Sequence, residues 1–137
     1  MRKLISFMVV TLDGYTEGPN GEFDWPNIDD EFDDFALSQL NDIGTLVFGR
    51  RTYEGMAEYW PTDEARARQP AIAERMNGLP KVVFSQSLTD ATWENTTLVR
   101  DDAAEAVAGL KHEPGGMLAL FGCATLTASL LEQGLVD

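Results

Sequence analysis

The chain has 137 residues, enough for one domain with a continuous core, and its 44% hydrophobic content is ordinary for a globular protein. Ten basic residues stand against 23 acidic ones, and the net charge of −13 argues against nucleic acid or an anionic membrane as the main partner. A single cysteine, Cys123, excludes an internal disulfide and suits a reducing, cytoplasmic compartment.

Met1-Arg2-Lys3 before an apolar run looks at first like a secretion signal. Asp13 and Gly14 interrupt the run early and no small-residue cleavage pattern follows, so the run reads as a strand. No apolar segment is long enough to span a bilayer. Leu4 to Leu12 is nearly all apolar, which predicts a central strand buried on both faces. Asp13 to Pro26 is loop-like, with Gly14, Gly18, Pro19, Asn20 and Gly21 clustered there. Its Tyr15, Phe23 and Trp25 suit either a mobile lid over a ligand or a loop pinned by its aromatics. Asp13, at the end of the predicted strand, either orients a substrate group or caps the turn.

Asp29 to Leu40 reads as a helix, with Phe32, Phe35, Ala36 and Leu40 on one face and a run of acids at its start, where the dipole favours them. Thr45 to Phe48 is a second strand, followed by a turn through Gly49-Arg50-Arg51-Thr52 and a helix through Tyr59 that Trp60-Pro61 ends. Asp63 to Asn77 reads as one charged outer helix before the breaker Gly78-Leu79-Pro80. Lys81 to Phe84 and Thr97 to Val99 are the next strands, leading into Ser85 and Arg100 respectively. Asp102-Ala103-Ala104-Glu105 has the form of a capping box for a helix reaching Lys111. After Pro114-Gly115-Gly116, Met117 to Phe121 is a fifth strand. Gly122 to Thr125 turns it into a helix whose Leu126, Leu130 and Leu131 face inward and whose C′ residue is Gly134.

Alternating strands and helices predict an α/β domain over residues 1–137, with a mostly parallel sheet and helices on both faces. Ligands of such sheets sit at the carboxyl ends of the strands. Those ends carry Gly49-Arg50-Arg51-Thr52, Ser85, Arg100 and Gly122-Cys123-Ala124-Thr125. A strand that turns through Gly into a helix leaves free N–H groups at a positive dipole end, and guanidiniums add permanent charge there. The pattern suits a phosphate-bearing cofactor. The usual dinucleotide fingerprint Gly-x-Gly-x-x-Gly does not occur.

Phe7 to Gly14, Phe23-Asp24-Trp25, Leu46 to Glu54, Lys81 to Ser85, Trp93-Glu94-Asn95, Gly122 to Leu126 and Leu135-Val136-Asp137 together resemble the dihydrofolate reductase superfamily. The resemblance is strongest to the reductase domain of the bifunctional riboflavin-biosynthesis deaminase-reductase. It implies an NADPH-dependent reductase of a small heterocycle, working as a homodimer. By this resemblance Gly49, Arg50, Arg51 and Thr52 would hold cofactor phosphates, with the arginines favouring a 2′-phosphate. Ser85 and Arg100 would flank the adenosine, and Gly122, Cys123, Ala124 and Thr125 would meet the pyrophosphate. Val9 would offer backbone groups to the nicotinamide amide. The Gly14–Trp25 loop would be the lid, with Trp25 against substrate, and Asp33 would be the substrate-binding carboxylate beside Asp13. Relatives of this kind continue into further strands, so the sheet is expected to be incomplete at one edge.

The only histidine, His112, lies at a helix end beside Lys111, so a histidine-based triad is not expected, and no metal site is expected among the acids. Cys123 reads as a small residue at a tight turn rather than a nucleophile, although a helix N-terminus can lower a thiol pKa and make it sensitive to oxidation. The rival readings are a nucleotide-binding module without turnover, a dihydrofolate reductase-type activity, and an acidic-helix interaction protein with no cofactor.

Overall fold

The computed structural model describes all 137 residues. Five strands form one sheet: β1 (Leu4–Phe7), β2 (Ile43–Gly49), β3 (Lys81–Phe84), β4 (Thr96–Val99) and β5 (Met117–Phe121). Their spatial order is β1-β5-β2-β3-β4, and every pairing is parallel. Six helices connect or follow them: α1 (Asp30–Asp42), α2 (Arg50–Tyr59), α3 (Asp63–Arg68), α4 (Pro70–Gly78), α5 (Ala103–His112) and α6 (Ala124–Glu132).

Alternation along the strands divides the core into two layers. Leu46, Phe48, Val83 and Ala119 point to one face, where α1, α2 and α4 supply Leu40, Tyr53, Ile72 and Met76. Leu4, Val47, Leu118 and Leu120 point to the other, against Val107 of α5 and Leu130 of α6. The result is an α/β fold with helices on both faces, and none of its helices is long and apolar enough to cross a membrane.

Four expectations need correction. The first strand ends at Phe7 rather than Leu12, and it lies at a sheet edge rather than the centre. Phe7 pairs with Phe121, and Gly122 N–H donates to the Phe7 carbonyl before the chain turns away. Met8 to Leu12 therefore have no neighbouring strand, and Val10 and Leu12 are exposed. The charged stretch 63–77 forms two helices, because Gln69 leaves the helical region and Pro70 restarts the chain at an N1 position. It is not an outer segment, since Ala65, Ile72, Ala73 and Met76 are buried. No helix joins β3 to β4; an irregular crossover anchored by Leu88 and Trp93 does so. Finally, Leu131 is exposed, not inward-facing; Phe35 is half-exposed but packs with Phe32 against Phe7, on the face expected. The α6 terminus does follow expectation: Gly134 adopts φ +67°, its N–H bonds Leu131, and Leu135 N–H bonds Leu130.

Candidate functional site

Parallel strands put all their carboxyl ends on one rim. The chain leaves β1 and β2 over one face of the sheet and leaves β4 and β5 over the other. The neighbours β5 and β2 are thus followed by helices that diverge to opposite faces, the topological position at which ligands of open α/β sheets bind. Both helices start at this point. Gly49 is the N-cap of α2 and Cys123 that of α6, and neither offers a side-chain acceptor to the first turn. Neither first turn carries an acid. By contrast Asp29, Thr62 and Asp102 cap α1, α3 and α5 with side-chain oxygens. The uncapped amides of α2 and α6 therefore gather at one place, with the positive ends of two dipoles.

The two turns are locked together. The Thr52 hydroxyl accepts the Cys123 N–H at 3.3 Å, and the Cys123 sulfur accepts the Gly49 N–H at 3.2 Å. The thiol donates in turn to the Phe121 carbonyl at 3.3 Å. Cys123 holds φ 47°, ψ 47°, a left-handed conformation unusual for a residue with a side chain. Gly122, at φ +69°, faces Thr52 closely enough that a β-carbon would touch its hydroxyl. Burial pushes the Cys123 thiol up, partly opposed by its bonds with Thr52 and Gly49. This reverses the expected lowering: the sulfur points into the body, so desolvation outweighs the dipole.

Moving outward along the rim, Arg50 donates to Glu54 at 3.0 Å and to the Ser87 hydroxyl at 2.8 Å. The Ser85 hydroxyl accepts the N–H groups of Ser87 and Leu88, closing the turn after β3. Arg51 is largely exposed and reaches Glu17 at 3.5 Å. Arg100, just after β4, donates to the carbonyls of Gln86, Leu88 and Thr89. Its guanidinium thus holds the β3–β4 crossover. Ser85, Arg50, Gly49, Thr52, Gly122 and Cys123 form one connected series along the rim, with Ala124 and Thr125 opening α6 beside them.

Other candidates sit in or near the loop after β1. Val9 lies two residues past the strand, half-buried. Asp13 is not at a strand end; it accepts the Thr11 hydroxyl at 2.7 Å inside an exposed turn. Trp25 packs edge-on against Phe23, with ring centroids 5.8 Å apart. Asp33 is half-buried on α1 and accepts from Gln69 Nε2 at 2.7 Å, while Gln69 Oε1 accepts the Tyr59 hydroxyl. Sequence reasoning missed Ser87, Gln69 and Glu17. Ser87 had a signal, its place beside Ser85 after a strand; the other two had none.

Two surface depressions lie elsewhere, flanking the opposite ends of the strands. One is lined by Arg66, Pro70, Glu74, Asn77, Gly78 and Glu94, the other by residues around Met1 and His112. Neither touches the rim.

The fold has known counterparts. The chain is 33% identical to the uncharacterized protein YyaP of Bacillus subtilis (strain 168), over 99% of this chain and 71% of that one. It is 25% identical to YwjB of the same organism, over 99% of this chain and 72% of YwjB. A crystal structure from Shewanella sp. PV-4, of a protein assigned to riboflavin biosynthesis, superposes with a TM-score of 0.68 at 24% identity. It covers 98% of this chain and 72% of that one, and at this identity the likeness speaks for the fold. The family described as the RibD C-terminal domain matches residues 2–137, and the chain belongs to that family.

Proposed function

We propose that the protein is an NADPH-dependent reductase of a small heterocyclic substrate, of the kind that reduces 5-amino-6-(5-phosphoribosylamino)uracil. The observation that carries this reading is the pair of uncapped, acid-free helix starts meeting where the sheet's connections diverge, with Arg50 and Arg51 beside them. Family membership supports a reductase role.

The residues fit the cofactor. First-turn amides of α2 and α6 suit its pyrophosphate, and Arg51, exposed at the rim, suits a 2′-phosphate. Gly49 and Cys123 amides serve the fold instead, since each already has an acceptor. Bound NADPH supplies the hydride. The chain's part is placement and exclusion of water. Phe23 and Trp25 offer an aromatic cover. Asp33, oriented by Gln69, offers a carboxylate to substrate N–H donors.

The test is NADPH oxidation across aminopyrimidine ribityl and ribosyl substrates and dihydropterins. Turnover on an aminopyrimidine, reduced at least tenfold in Asp33→Asn, is the expected result. NADPH binding with no oxidation of any substrate overturns the enzyme reading and leaves a nucleotide-binding module.

A further inference from the structure

Arg50 and Arg51 are paired differently. Arg50's carboxylate, Glu54, lies one turn along the same helix, so the pair ties nothing distant together. Arg51's carboxylate, Glu17, lies 34 residues away in the loop after β1. Gly21, in the same loop, has φ +81°, and a β-carbon there would collide with the Arg51 guanidinium. Arg51 thus lies directly over the Gly21 backbone while reaching Glu17. The intervening turn is internally fixed. Gly18 N–H bonds the Glu22 carbonyl, Gly21 N–H bonds the Gly18 carbonyl, and the Glu22 carboxylate takes both the N–H and the side-chain amide of Asn20. Residues 17–22 therefore stand against Arg51 as a unit, on the loop that carries Phe23 and Trp25.

We propose that Glu17 is a specificity-determining residue: its carboxylate occupies Arg51 as a stand-in anion that a ligand phosphate displaces and a ribose hydroxyl does not. The proposal rests on the cofactor reading above and adds the competing group. The Arg51–Glu17 pair is long and exposed on both sides. Such pairs contribute little, whereas a phosphate accepts paired guanidinium N–H bonds and carries more charge. A 2′-phosphate wins this exchange. A hydroxyl leaves Arg51 with Glu17. The same exchange frees the 17–22 turn, so the phosphate also loosens the loop after β1.

The experiment combines titration with hydrogen–deuterium exchange on the full chain. Glu17→Gln is expected to tighten NADPH about two- to fivefold and leave NADH unchanged, the range an exposed ion pair spans. Without ligand, Arg51→Ala is expected to speed exchange at residues 17–22. In the wild type that segment is expected to exchange faster with saturating NADPH than with saturating NADH. Equal shifts of both cofactors in Glu17→Gln, or no shift of either, overturn the proposal. So does segment exchange unchanged by Arg51→Ala. If Arg51→Ala abolishes the NADPH preference while Glu17→Gln changes nothing, the cofactor reading survives and the role of Glu17 does not. If Arg51→Ala leaves the preference intact, the phosphate assignment itself fails.

Discussion

Arg50, Arg51 and Thr52 are consecutive, yet each meets a different neighbour: the β3 crossover, the loop after β1 and the α6 turn. The local part of this was legible. A strand, a glycine and a helix start can be read from ten residues, because propensity and dipole act within one turn. The partners were not, because Glu17 and Ser87 reach the arginines by routes that only the folded chain defines. Cys123 shows the same limit. Its place at a tight turn was legible, but the alternative of an activated thiol at a helix start could be settled only by its left-handed backbone, which turns the sulfur inward. We therefore expect native Cys123 to react with iodoacetamide at pH 7.5 at least tenfold more slowly than the urea-unfolded chain, because the thiolate is the reactive form. Equal native and unfolded rates would contradict the burial.

Among the elements, the turns opening α2 and α6 behave as one structural unit. The Thr52 hydroxyl is the acceptor that α6's cap residue uses, so Thr52→Val, nearly the same shape, leaves the Cys123 N–H without a partner. Urea denaturation should show a loss of about 1–2 kcal/mol, the usual cost of stranding a partly buried donor. A loss near zero would mean that water or another group serves that amide. Element positions were largely readable where periodicity was strong: α1, α5 and β5 begin and end within a residue or two of expectation, whereas α2 already starts at Arg50, inside the stretch expected as a turn. Failures came where tertiary context decides. An apolar run cannot report how long its neighbour is, so Leu4 to Leu12 looked like one strand although β5 supports it only as far as Phe7. The split at Pro70 was visible in principle and was overridden by continuous helix formers on both sides.

For the whole molecule, the rim that carries the candidate site is balanced by a rigid opposite end. There Lys81 is almost fully buried, and its ammonium donates to the carbonyls of Asn77 at 2.8 Å, Leu79 at 2.8 Å and Glu94 at 3.0 Å. It also sits 4.4 Å from the Trp93 ring centre. One side chain thus joins the end of α4, the start of β3 and the crossover to β4. Burial pulls its pKa from 10.5 down to about 8, against an opposing pull from Glu94. Between those values the unfolded chain binds more protons than the native one, so this group's contribution to stability rises with pH across that window. Urea midpoints at pH 7.5 and 9.5 should therefore improve in the wild type relative to Lys81→Met. A constant difference between the two proteins would contradict the shift.

The central claim is that the rim where β5 and β2 end binds a phosphorylated dinucleotide through α2, α6 and Arg51. Calorimetric titration of NADPH and NADH into the wild type and Arg51→Ala tests it most directly. The account predicts saturable binding of NADPH, at least tenfold tighter than NADH in the wild type, with the difference lost in Arg51→Ala. No heat of binding at millimolar NADPH, or equal losses for both cofactors on removing the guanidinium, would contradict it.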